Sequence, residues 1–194
     1  LHELREKQAV NLSRLIRDQL SELSLKNAQF KVNFQTAPLS ETGHDRVVFM
    51  ISMNPGESLK PLSAVASGGE LSRLMLGLKV IFTTVMGIST VIFDEIDTGV
   101  SGKVALSIGQ KMHELSKSSQ VIAVTHLAPV AACADNQYLI EKSIADQRTM
   151  TSVSHLDLQG RWRELALIST GSDNESALKA AQELLEIGQR HHGG

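Results

Sequence analysis

The residues best suited to chemistry close two short apolar runs. Thr90-Val91-Ile92-Phe93 leads into Asp94-Glu95, and Gln120-Val121-Ile122-Ala123-Val124 leads into Thr125-His126. Adjacent carboxylates at the end of an apolar strand suit a divalent cation and a water. The first, Asp94, can hold Mg²⁺ directly or through water, because Mg²⁺ takes hard oxygen ligands and keeps part of its hydration shell. The second, Glu95, can orient and deprotonate a water aimed at a γ-phosphate. The plainer reading is that both acids only end a strand and open a polar loop. His126 has the same two readings: an ordinary surface histidine, or a hydrogen-bond partner for a transferred phosphate. Its place on a second strand end, beside the acids, favours the phosphate.

A third group is Ser67-Gly68-Gly69-Glu70, at the start of a helical pattern. Ser67 with Glu70 three residues on makes a capping box. Two glycines between them weaken a helix that needs only a cap. Glycines let a ligand approach the backbone, and a helix N-terminus offers free N–H groups to phosphate. The four residues therefore suit a phosphate cradle as well as a cap. An apolar strand ending in Asp-Glu is the Walker B pattern, whose usual companion is a Walker A loop, G-x-x-x-x-G-K-[ST]. The chain contains no such loop: its one Gly-Lys, Gly102-Lys103, is followed by Val104 and lies after the acidic strand.

These groups need elements to carry them. Leu12, Leu15, Ile16, Leu20 and Leu23 follow helical spacing. The polar stretch from His2 to Gln8 predicts an early part that projects into solvent or meets a partner segment. Phe30, Val32 and Phe34 alternate, as do Val47, Phe49 and Ile51, with turn residues from Pro38 to His44 between them, which predicts an antiparallel hairpin. Pro61 to Gly69 reads as loop. Leu71, Leu74, Met75, Leu78, Phe82 and Val85 predict the buried face of the next helix. The two apolar runs read as parallel strands joined by a helix over Val104, Ile108, Met112 and Leu115, a βαβ unit. In such sheets ligands bind beyond the carboxyl ends of the strands, where Asp94 and His126 stand. A short helix near Ala128–Ala134, strands near Tyr138–Glu141 and Met150–His155, and a terminal helix over Leu178–Leu185 complete the prediction.

Composition narrows the class. The 194 residues carry 42% hydrophobic side chains, enough for a core, and a net charge of −2 that excludes a strongly basic nucleic-acid tail. Lys60, Arg73, Lys79, Lys103, Lys111 and Lys117 are scattered and read as a solvated surface. A single cysteine, Cys133, excludes a disulfide framework within the chain and fits a reducing, cytoplasmic setting. No apolar run approaches the ~18 residues that span a membrane.

In order, the Ser-Gly-Gly-Glu helix start, the Asp-Glu strand end, the Asp97 loop and a histidine closing the next strand resemble the second half of an ATP-binding-cassette ATPase head. In that family these are the signature motif (Ser67–Glu70), Walker B (Val91–Glu95), the D-loop (Ile96–Gly99) and the switch histidine (His126). Longer strings sharpen the resemblance to bacterial SMC-like DNA-repair ATPases: Asn54-Pro55-Gly56-Glu57, Ala66 through Arg73, Phe93 through Gly102, and Thr125 through Asp135. The resemblance covers about Phe30 to Glu141 closely and the flanks loosely. Glu70 stands where transporters commonly carry Gln.

The resemblance implies an α/β fold: the C-terminal half of a P-loop ATPase head, with parallel strands flanked by helices and a small antiparallel hairpin. Residues 1–25 would end a returning coiled-coil arm, and residues 26–194 would form the half-head. The Walker A half would come from an N-terminal segment of the same head. ATP and Mg²⁺ would be the cofactors, and a second head and DNA the partners, in a cytoplasmic, nucleoid-associated protein of double-strand break repair and recombination. Asp94 would hold Mg²⁺, Glu95 would be the general base, and His126 would face the γ-phosphate. Ser67, Gly68, Gly69 and Glu70 would serve the ATP of the opposing head, and Asp97 would lie near the dimer interface. This fragment alone would be inactive. Two other readings stay open on sequence: another cassette ATPase, such as a transporter subunit or a different SMC-like head, and a non-catalytic interaction module.

Overall fold

The computed structural model describes all residues except 66–67, 95–96, 98, 101, 146–147 and 191–194, and the side chains of 68–69, 144–145 and 148. The chain divides into two compact units, Leu1–Ser89 and Thr90–Gly194.

In the first unit, helix α1 (His2–Glu22) packs on a hairpin of strands β1 (Gln29–Ser40) and β2 (Gly43–Ser52). A short strand β3 (Lys60–Pro61) pairs with β2, and a 3₁₀ turn at Leu62–Ala64 follows. Helix α2 (Gly68–Met86) closes the layer against α1. The core joins Ile16 and Leu20 of α1, Phe30 and Val32 of β1, Ile51 of β2, and Leu74, Leu78 and Ile81 of α2. The first turn of α1 does not project freely. His2 and Arg5 bind Asp45 of the hairpin, at 2.7 and 2.9 Å.

The hairpin is longer than its alternating residues predict. Its turn is confined to Glu41 and Thr42, and Pro38 lies within β1, where the register shifts between Thr36 and Ser40. Proline lacks an N–H and is accommodated where the ladder is irregular. The predicted loop before α2 also contains β3 and the 3₁₀ turn. Most of the predicted face of α2 is buried, with Leu71 and Phe82 packed against the core beside Leu74 and Leu78. Leu74, Leu78 and Ile81 enter the core, while Met75 and Val85 are exposed. The helix is apolar nearly all round, so periodicity alone does not choose its face. Helix α1 packs on the side of Gly77, where an added Cβ would meet Gln19 Cβ at an ordinary contact distance of 3.5 Å.

In the second unit, β4 (Thr90–Asp94) and β5 (Gln120–Val124) pair in parallel, joined through helix α3 (Gly102–Ser116), which packs on β5. Helix α4 (Ala128–Ala131) and a second hairpin, β6 (Tyr138–Ala145) with β7 (Arg148–His155), follow. Helices α5 (Leu158–Thr170) and α6 (Glu175–Gln189) pack together and on α4 through Ala128, Ala132, Leu165, Ala181 and Leu185. Helix α5 is absent from the sequence prediction. Asp157 caps it by accepting the Gly160 N–H at 2.7 Å, and Gly171 ends it with φ at 72°. Arg161, buried on its first turns, donates to the Ala134 carbonyl at 2.7 Å and so satisfies backbone just after α4. Packing there is close: a Cβ on Gly109 would fall 2.8 Å from Cys133 Sγ, and one on Gly188 would fall 2.5 Å from the Ala132 carbonyl oxygen.

The architecture is α/β, with a parallel strand pair, flanking helices and antiparallel hairpins. Among the described residues no helix is long and apolar enough to cross a membrane.

Candidate functional site

The parallel ladder brings two of the sequence-predicted groups together. Its register sets Asp94 opposite Val124, so the chain leaves β4 and β5 at the same level. Neighbouring strands run ~4.8 Å apart, so Asp94 and the pair Thr125-His126 emerge side by side. Asp94 and His126 are both exposed at this edge. Each strand is too short to hold these groups by itself. Burial of Val91 and Phe93 on one face anchors β4 and fixes where Asp94 emerges.

Asp97 is also drawn to this edge, but its carboxylate is buried, 1% exposed. The Thr125 hydroxyl donates to Asp97 Oδ2, and the Leu127 N–H donates to Thr125 Oγ1 at 3.0 Å. The other oxygen, Asp97 Oδ1, is buried with no hydrogen-bond partner among the described residues. The loop closes on itself through the Val100 N–H, which donates to the Asp97 carbonyl at 3.1 Å. Gly99 follows the acid with φ at 72°, a backbone region that L side chains rarely enter. The loop after β4 and the loop after β5 are thus joined through Thr125. Sequence reading placed Thr125 at the strand end without giving it a part. The signal was there: a hydroxyl directly before the histidine, facing an Asp in the neighbouring loop.

The other face of the strand pair carries three apolar side chains beside Thr90, Asp94 and Gln120. Ile92, Ile122 and Val124 share it by strand parity, and they are 60%, 45% and 50% exposed. A parallel pair is ordinarily covered on both faces.

Glu70, Gly68 and Gly69 open α2 in the first unit, with Glu70 in the first turn where a carboxylate complements the helix dipole. Ser67 and Glu95 lie outside the described residues.

No protein-family profile matches the chain. Its curated relatives are more informative. It is 42% identical to the DNA repair protein RecN of Vibrio cholerae over 188 residues, 95% of this chain and 34% of that protein. It is 48% identical to RecN of Bacillus subtilis over 156 residues, 80% of this chain and 27% of that protein. The chain is RecN-like. It spans about a third of the length of the curated RecN relatives it matches. The RecN relatives answer one question the motifs left open, favouring an SMC-like head over a transporter subunit.

Solved structures agree on the fold. One chain from work on ATP-driven dimerisation and DNA-stimulated activation of SMC ATPases superposes with a TM-score of 0.60 at 22% identity, over 88% of this chain and 97% of that one. The Smc head domain of Pyrococcus yayanosii superposes with a TM-score of 0.63 at 19% identity, over 93% of this chain and 30% of that one. The RecN-like chain therefore has the fold of the C-terminal part of an SMC-like head.

Proposed function

We propose that the chain is the C-terminal head segment of a RecN-like ATPase acting in the repair and recombination of broken DNA, and that a Walker A-bearing segment completes it. The observation that carries this reading is the β4–β5 pair. Its carboxyl edge presents Asp94 and Thr125-His126, while Ile92, Ile122 and Val124, which share one face, are exposed. A second half of the same head is the natural cover, and it would bring the phosphate-binding loop to the same edge.

In the complete head, ATP and Mg²⁺ supply the phosphoryl electrophile and its charge neutralisation. Asp94, exposed at the strand end and rich in hard oxygen, suits the cation. Glu95 follows it and would take the proton of an attacking water. His126, on the neighbouring strand end, would hydrogen-bond the γ-phosphate. Asp97, turned inward on Thr125, shapes the loop that leads to the partner head and couples it to the histidine. Ser67 and the Gly68 and Gly69 amides, with Glu70 behind them, serve the nucleotide of the opposing head. Nucleotide shared between two heads binds the closed pair better than either head alone, and this differential affinity drives dimerisation. The cytoplasmic, nucleoid-associated setting and the engagement of DNA belong to the whole protein.

A phosphate-release assay on this chain, on the N-terminal head segment and on their mixture tests the proposal. The chain alone should release no phosphate, since Asp94 and Glu95 act on a nucleotide that another segment must position. The mixture should hydrolyse ATP. Robust turnover by the purified chain alone would overturn the half-head reading.

A further inference from the structure

In the first unit, two histidines and an aspartate from distant parts of the sequence converge. His2 stands on the first turn of α1, and His44 and Asp45 begin β2 just after the hairpin turn. One ring nitrogen of each histidine and one Asp45 oxygen lie within 4.8 Å of one another. We propose that His2, His44 and Asp45 bind one divalent transition-metal ion of the imidazole-preferring class, zinc foremost.

His2 Nδ1 and Asp45 Oδ1 are hydrogen-bonded as they stand, and the three groups are close enough to share an ion. His2 Nδ1 lies 2.7 Å from Asp45 Oδ1, and His44 Nε2 lies 3.9 Å from the same oxygen. The second separation is too long for a hydrogen bond. In a tetrahedral zinc site with Zn–N and Zn–O near 2.0–2.1 Å, neighbouring ligand atoms sit about 3.3 Å apart. The two observed separations bracket that value, and both rings sit on partly exposed side chains free to turn through a fraction of an ångström. The ring centroids are 5.8 Å apart with 32° between planes, so the rings flank one space.

The surroundings are those of a metal site. Asp45 is 4% exposed, and its other oxygen is held by Arg5 Nη1 at 2.9 Å, with Arg5 Nη2 anchored on the Thr42 carbonyl at 2.6 Å. Arg5 engages one carboxylate oxygen and leaves the other turned to the histidines. His2 points its second nitrogen at Glu6 Oε1, 3.4 Å away. A carboxylate behind a ligating histidine fixes its tautomer and strengthens it as a ligand. Phe34 meets the His2 ring edge-on at 5.7 Å. With neutral histidines, Asp45 and Glu6 outweigh Arg5 by one negative charge. Three protein ligands leave a fourth position for water. The ion would pin the first turn of α1 to the tip of the hairpin.

The test is a titration of the 194-residue chain with Zn²⁺ against a chromophoric zinc indicator, with Co²⁺ absorption as a second probe of tetrahedral ligation. One equivalent should bind tightly. Loss of an outer partner alone weakens metal sites by about 10–100-fold, so His44→Ala, which removes a ligand, should weaken binding by more than roughly 100-fold. Glu6→Ala should weaken it by about tenfold. His44 is exposed, so its variant should keep the far-ultraviolet circular dichroism of the parent. The double variant His191→Ala/His192→Ala should bind as the parent does. Absence of zinc uptake by the parent, unchanged affinity in His44→Ala, or loss of binding in the His191/His192 variant would each overturn the site.

Discussion

Glu95→Gln in the complete head is expected to leave nucleotide binding intact and to lower turnover by about 10²–10⁴-fold, the contribution of a positioned general base. Glutamine keeps the shape and hydrogen-bonding reach of glutamate but cannot take a proton from water. Asp94, one residue earlier at the end of β4 and proposed to serve the cation, is unchanged, so affinity for Mg²⁺-nucleotide should hardly change. Since nucleotide favours the paired heads and hydrolysis ends that preference, the variant should accumulate as a nucleotide-bound dimer. Single-turnover phosphate release gives the rate, and gel filtration with ATP gives the dimer. Hydrolysis near the parental rate would remove Glu95 from the role.

Ser67→Arg should abolish ATP-driven pairing of heads while each head continues to bind nucleotide. In sequence the residue directly precedes α2, which starts at Gly68, and the first turn of a helix leaves free N–H groups. A contact to phosphate held by another head requires a small hydroxyl there, and arginine fills the gap between the heads. A residue that only caps the helix behaves differently. Losing the cap lowers stability by ~1 kcal/mol and leaves pairing alone. Gel filtration with ATP, beside a melting curve, separates the two: normal pairing by a merely less stable variant would favour the cap.

The parts of the fold that were legible are those where local pattern and tertiary demand coincide. β4 and β5 are five-residue apolar runs, and a strand of that length has few other ways to be buried. Their parallel pairing followed from the helical pattern between them, and with it the meeting of Asp94 and His126. Helix α2 was found with most of its buried face, Leu71, Leu74, Leu78 and Phe82, but Met75 and Val85 look as buriable as Ile81 and are exposed. Helix α5 escaped because a buried arginine, Arg161, interrupts its apolar stripe. Its ends were readable in Asp157 and Gly171, which cap it. The hairpin came out longer than predicted because Pro38 reads as a turn residue locally and sits at a ladder irregularity in fact. The inward turn of Asp97 depends on Thr125 in another loop, and the meeting of His2 with His44 depends on how α1 docks. No local pattern carries either.

The tight contact between α3, α4 and α6 has one more consequence. Cys133, the single cysteine of the chain, is buried where Gly109 lets its sulfur in, and burial pushes its thiol up to about 11. Only the thiolate attacks alkylating reagents. In the closed layer almost none is present at neutral pH, and reagent has no path to it. Alkylation must then wait for the helices to part, so its rate measures how often they breathe. The chain thus carries its own stopwatch for local opening. No added label is needed to ask whether joining the rest of the head slows that breathing.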